Sequence, residues 1–197
     1  ITDENEQRQK IFEAMGKSLI SLYPVCENGI CGLVLAYEDS AFWMPAASAE
    51  ALAAMAGWFD GHPEMAGIRI KESLHHLPIK ESDNILDISL MAYLLNPLKD
   101  SYDYDDIARD YLGLTLPSRA DLYGKKTLTE IMSEDREKAM VWLGYYAALP
   151  LKAAPVLKAD LEKENMWALY QKIELPLSFS IYRMEKAGIQ VEREALK

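Results

Sequence analysis

Residues 18–45 read SLISLYPVCENGICGLVLAYEDSAFWMP, and this stretch decides the fold. SLISLYPV, GLVLAY and AFWMP are dominated by β-branched, aromatic and aliphatic residues that suit a pleated, half-buried surface. The first two runs are separated by Cys26-Glu27-Asn28-Gly29, and Asn-Gly supplies the positive φ that a tight hairpin turn requires. Glu38-Asp39-Ser40 forms a second turn. The segment therefore predicts an antiparallel meander of three strands.

Working outward, residues 3–16 predict a helix. Asp3 can cap it with Glu6 three residues later, Ile11, Phe12 and Met15 form an apolar stripe, and Gly16 closes it. Residues 47–59 predict another, capped by Ser48 with Glu50 near its start, with Leu52, Met55, Ala56 and Phe59 facing inward. Asp60-Gly61-His62-Pro63 breaks the chain. AGIRI (66–70) reads as a short strand and KESLHHL (71–77) as a turn or two of helix. Residues 84–95 begin as strand and become a helix ended by Asn96-Pro97. Strands alternating with helices predict the α/β class, a mixed sheet flanked by helices.

Past Pro97 the β signal fades. YDDIARDYLGL is an amphipathic helix stopped by Gly113, and residues 119–123 form a turn. Thr127 to Ala187 reads as long helices in which Pro150, Pro155 and Pro176 are kinks or starts. A helical half thus follows the sheet.

The 197 residues carry 31 acidic and 21 basic side chains, a formal charge of −10. Half are hydrophobic, a globular composition. A strongly acidic chain speaks against a free-standing nucleic-acid binder, because phosphate contacts need a basic surface. Apolar runs are short, such as the eight residues of Ile30–Tyr37 with Gly32 counted in, whereas a membrane span needs about 20. Two cysteines make no disulfide framework, so a cytoplasmic, reduced setting with no membrane is expected.

Four local features invite a chemical reading. Cys26-x4-Cys31 lacks the second ligand pair that a zinc site needs, and packing is the better reading. His75-His76 are helix neighbours that point about 100° apart, which suits surface histidines. Asp100, Asp103, Asp105 and Asp106 lack the central glycine of a calcium loop and sit at a helix start, where the dipole favours acids. Lys125-Lys126, with Arg119 nearby, reads as a solvated basic loop. Nucleophile elbows, P-loops and dinucleotide fingerprints are all missing from the sequence.

Four segments then occur in a telling order: DISLMAYLLNP (87–97), DYDDIARDYLGL (103–114), ADLYGKK (120–126) and KIELPLSFSIYRMEKAGIQVEREAL (172–196). Together they resemble the 3′–5′ exonuclease region of family A DNA polymerases, the bacterial polymerase I type. The most specific match is Ile173-Glu174-Leu175-Pro176-Leu177, Met184-Glu185 and Gly188-Ile189-x-Val191, which is similar to the entry into the polymerase domain. The resemblance implies a ribonuclease-H-like five-stranded mixed sheet. It also implies a domain at 1–172 followed by the start of a polymerase domain at 173–197. A 5′ nuclease would precede Ile1, and thumb, palm and fingers would follow Lys197. The polymerase domain of the same chain is then the expected partner, DNA is met through the parent enzyme, and Mg2+ belongs to the parent polymerase.

An active exonuclease of this type uses two divalent ions about 3.5–4 Å apart. The family holds them with an Asp-x-Glu on the first strand, an Asp after a later strand and a Tyr-x-x-x-Asp on a helix. In this sequence Leu22 and Pro24 fall in the first window, Ile70 in the second, and Trp142 and Tyr146 in the third. Asp87 matches an Asp that the family keeps beside the core, but one carboxylate cannot hold two ions. The resemblance thus implies a vestigial exonuclease domain with no cofactor of its own, acting as a structural module of an enzyme of DNA replication and repair. Two alternatives stand beside it. One is an active nuclease with relocated ligands among Glu27, Asp39, Glu72 and Asp87. The other is a stand-alone ribonuclease-H-like interaction module, against which the segment at 172–196 argues.

Overall fold

The structure, a computed structural model, describes residues 1–27, 30–45, 63–77, 79–82 and 84–188. The helix expected over 47–59 and the Asn28-Gly29 turn lie outside the described residues.

Five strands form one mixed sheet: β1 (Leu19–Glu27), β2 (Ile30–Tyr37), β3 (Ser40–Pro45), β4 (Glu64–Gly67) and β5 (Ile85–Asp87), in the order β3-β2-β1-β4-β5. The meander is present as read. β1 pairs antiparallel with β2 from Ser21↔Ala36 to Glu27↔Ile30, and β2 pairs antiparallel with β3. On its other side β1 runs parallel to β4, which runs parallel to β5. Trp43 fixes how closely β2 and β3 approach. It lies so near Gly32 that a Cβ added there would come within 2.3 Å of its ring.

Helix α1 (Glu4–Met15) starts where Asp3 accepts from the Glu6 N–H and ends at Gly16. The expected strand over 66–70 is shifted: β4 stops at Gly67, and α2 (Ile70–Ser73) begins at Ile70. The reversal is made by Arg69, which takes a left-handed φ of 50°, a conformation costly for a residue with a Cβ. Strand β5 passes directly into α3 (Ile88–Leu95), with Asp87 as its cap, as the sequence predicts. Helix α4 (Tyr104–Leu112) ends at Gly113 with φ 64°. Residues 119–123, expected as a turn, form the short helix α5 (Arg119–Tyr123), because Ser118 and Asp121 make a reciprocal capping box.

Helix α6 (Leu128–Glu134) is followed by α7 (Arg136–Lys163), a single helix of 28 residues that continues through Pro150 and Pro155. Interior prolines cost about 3 kcal/mol each. That cost is offset by a long buried face, Trp142, Leu143, Tyr146, Ala147, Leu149, Ala153, Ala154, Leu157 and Leu161, which packs against β1 to β4 and against α3, α4 and α6. By length and mean composition α7 could cross a membrane, something no unbroken apolar run in the sequence shows. Its most apolar window is 56% buried inside the protein, as befits a core helix.

The chain then makes α8 (Trp167–Leu169), a π-helical turn (Tyr170–Glu174) and α9 (Leu175–Ala187), with Pro176 in the first turn. Helix α9 packs against α2, tied by Lys71–Glu185 at 2.5 Å and by His75, whose ring meets Tyr182 edge-on at 4.9 Å.

Candidate functional site

The end of β1, the β4–α2 corner, the start of α4, α5 and the first half of α7 surround a cavity of about 430 Å3. Its walls carry Tyr23, Pro24 and Cys26 from β1, Arg69, Glu72 and His76 from the corner, Asp103, Arg119, and Trp142 and Tyr146 from α7.

Aromatic side chains form the floor. Tyr23 lies 4.6 Å from Tyr146 and 6.0 Å from Trp142 between ring centres, and Trp142 lies 4.7 Å from Tyr146. Such offset and edge contacts add about 0.5–1.5 kcal/mol each beyond area burial. The Tyr146 hydroxyl donates to Asp103 Oδ1 at 2.6 Å, and the Arg69 guanidinium stands 3.8 Å from Asp103 Oδ2. Burial, then the Asp103 carboxylate, push the Tyr146 phenol far above its ordinary range, so it stays a neutral donor. Trp142 is 3% exposed, and its Nε1 has no hydrogen-bond partner among the described residues.

Asp87 lies deeper, 5% exposed. Its Oδ2 accepts from the Ile70 N–H at 2.8 Å, and its Oδ1 accepts from Ser89 at 3.1 Å and Leu90 at 3.2 Å. One carboxylate therefore caps α3 and holds the corner that starts α2. Burial raises its pKa to about 6, against the opposing pull of those N–H donors. Both oxygens face backbone donors, which leaves it poorly placed as a metal ligand.

The positions picked out from the sequence separate into two groups. Pro24, Trp142 and Tyr146 line the cavity, whereas Leu22 and Ile70 are 5% and 3% exposed in the hydrophobic core. Of the acids considered as relocated ligands, Glu72 lines the cavity and Asp87 is enclosed behind it. Asp39 sits at the β2–β3 turn, 3.4 Å from Lys152, and lines a separate surface groove. The Glu27 side chain lies outside the described residues. Two carboxylates on the cavity wall, Glu72 and Asp103, do not make a two-ion site. Among the described residues no group of three or more His, Cys, Asp or Glu side chains is placed to hold a metal ion. Among the described residues, the carboxylates of the cavity wall fall short of the set that the resemblance would call for to hold a pair of divalent ions.

Sequence reasoning passed over Tyr23 and Arg69 and read Asp103 only as a cap. Asp103 and Tyr146 are 43 positions apart, and no local pattern links them. Arg119 and His76, read as surface residues, also face the cavity. Lys126 pairs with Glu134, as suits a solvated loop.

No protein-family model matches the chain. It is 25% identical to DNA polymerase I of Bacillus subtilis (strain 168) over 175 residues, which is 87% of this chain and 20% of that protein. It is 30% identical to DNA polymerase I of Streptococcus pneumoniae serotype 4 over 128 residues, which is 65% of this chain and 14% of that protein. The chain thus spans about a fifth or less of these relatives' length. Among solved structures, the POL domain of Pol1 from M. smegmatis, in complex with DNA primer-template and dNTP, superposes with a TM-score of 0.72 at 22% identity, covering 96% of this chain and 32% of that one. The chain has an α/β fold similar to part of that protein, and over most of its length its sequence is similar to a segment of bacterial DNA polymerase I.

Proposed function

We propose that the chain is a 3′–5′ exonuclease-like domain, residues 1–172, joined to the start of a polymerase domain at residues 173–197, and that it has lost nuclease chemistry and serves as a structural module of a polymerase I-type enzyme. The observation that carries this reading is the composition of the cavity wall. Where two-ion chemistry needs converging carboxylates, the chain has Pro24, Trp142 and Tyr146, with Leu22 and Ile70 in the core behind them. Removing several converging acids relieves like-charge repulsion, and each buried apolar replacement contributes roughly 25 cal/mol per Å2.

In this reading DNA is engaged by other parts of the parent enzyme, in the cytoplasm, and Mg2+ serves the polymerase reaction there. The module's own acidity, a formal charge of −10, is compatible with that division. A 5′-labelled single-stranded oligonucleotide incubated with the chain and Mg2+ or Mn2+ tests the reading. The expected result is an unshortened strand. A metal-dependent ladder that begins at the 3′ end contradicts it.

A further inference from the structure

The β1–β2 register sets Cys26 directly opposite Cys31, one step inside the closing pair Glu27↔Ile30. Two residues, 28 and 29, join the strands. In an antiparallel hairpin of that loop length the closing pair exchanges backbone hydrogen bonds, and the next pair is the close, non-hydrogen-bonded kind, with Cα atoms about 4.5 Å apart. Residues directly opposed across such strands carry their Cβ atoms on one face of the sheet, about 4.5–5.5 Å apart. A disulfide spans Cα separations of about 4.4–6.8 Å, so the backbone brings the two positions within bridging range with little rearrangement. The pairing is held from behind by five consecutive Cα partners, Ser21↔Ala36 to Val25↔Gly32. Cys26 is exposed and stands on the rim of the cavity, within reach of a small oxidant.

We propose that Cys26 and Cys31 are a modification site: a reversible cross-strand disulfide that forms with a peroxide and ties the end of β1 to the start of β2. The Cys26 thiol releases its proton and its sulfur attacks one peroxide oxygen; the O–O bond breaks, the departing hydroxide takes up that proton as water, and a sulfenic acid remains. The Cys31 sulfur then attacks the Cys26 sulfur, the S–O bond breaks, and a second water leaves. Two thiols and one hydrogen peroxide thus become one disulfide and two waters. A small thiol returns both cysteines by exchange. The structure leaves Cys26 exposed, so the expectation of packing does not hold at that position, and the Cys31 side chain lies outside the described residues. The proposal does not rest on the loss of nuclease chemistry and stands or falls separately from it.

Cleavage after Glu27 gives the test, since it separates the two cysteines into different peptides. The folded chain is treated with hydrogen peroxide, blocked with an alkylating agent and cleaved without reductant. The expected result is loss of both titratable thiols, a linked peptide pair from a chain that migrates as a monomer, and recovery of both thiols with dithiothreitol. Peptides that separate unreduced, with Cys26 carried on to sulfinic acid or both thiols still alkylated, overturn the proposal, as does a linkage found only between two chains. The Cys31→Ser variant supplies a second reading: peroxide should then leave Cys26 as a trappable sulfenic acid, and protection of Cys26 equal to that in the unaltered chain would contradict the pairing.

Discussion

The hydroxyl of Tyr170 accepts from the backbone N–H of Asp87 at 2.8 Å and donates to the carbonyl of Ile85 at 3.0 Å, so one side chain satisfies both backbone groups on the outer edge of β5. An uncovered edge strand presents unpaired donors and acceptors, a liability that proteins cover. The π-helical turn at Tyr170–Glu174 is where this side chain enters, and the residue is fully buried. Tyr170→Phe keeps the ring and removes both bonds. Leaving a buried N–H and C=O without partners costs roughly 1–3 kcal/mol each, and urea unfolding of the variant should show a loss of that order. An unchanged midpoint would mean that water replaces the hydroxyl at the edge.

Asp87 gives the chain a pH dependence of defined sign. Its folded pKa, about 6, lies above the ordinary value of 3.8, so the native state holds its proton more tightly than the unfolded chain does. Its contribution is fully present below about pH 3.8 and is lost as pH rises through about 6. Each pH unit between those values is worth about 1.4 kcal/mol, which bounds the effect at roughly 3 kcal/mol. Asp87→Asn loses stability at every pH, since its amide N–H2 would confront a backbone donor. Measured by denaturant unfolding from pH 4 to 7, the stability of the unaltered chain minus that of Asp87→Asn should fall with rising pH. A flat or rising difference would show that the backbone donors outweigh burial.

Much of the fold was legible because it is written locally. Asp3 and Gly16 bracket α1, Gly113 stops α4, and the strand–turn alternation over 18–45 sets the meander. The capping box of Ser118 and Asp121 was also in the sequence, as a Ser-x-x-Asp, and marks a helix where only a turn was read. The departures come from contacts between distant positions. β4 ends early because Asp87, 17 residues away, accepts from the Ile70 N–H and holds Arg69 in its left-handed turn. The prolines of α7 read as kinks or starts, but its buried face against the sheet outweighs the two missing hydrogen bonds. The cavity was the least legible part, since its members come from five elements joined only by the tertiary fold.

Tyr146 ties α7 to the start of α4 through Asp103. A hydrogen bond to a charged group contributes about 1.5–3 kcal/mol. Tyr146→Phe should lower stability by an amount in that range, and Asp103→Asn, which keeps an acceptor for the hydroxyl, should cost less. Thermal unfolding of both variants measures this. A larger loss for Asp103→Asn would place the stabilisation in the cap and the Arg69 pairing instead.

Gly32 is the tightest point of the sheet. A methyl there meets the Trp43 ring at 2.3 Å and the Met44 carbonyl at 2.8 Å. Overpacking of this kind typically costs 1–3 kcal/mol. Gly32→Ala should therefore lose about that much and shift the near-ultraviolet circular dichroism of Trp43. A variant as stable as the parent, with an unaltered aromatic spectrum, would show that β3 can retreat without cost.

In the proposed reading, the cavity lacks a donor set for two divalent ions. Mn2+ binding to the chain, followed by electron paramagnetic resonance of the free ion in the presence of a short single-stranded oligonucleotide, measures this directly. The expected result is no saturable uptake of two Mn2+ per chain and no change when Glu72 is replaced by Gln. Uptake of two ions per chain, with the spectral broadening of a coupled pair and its loss in Glu72→Gln, would contradict it.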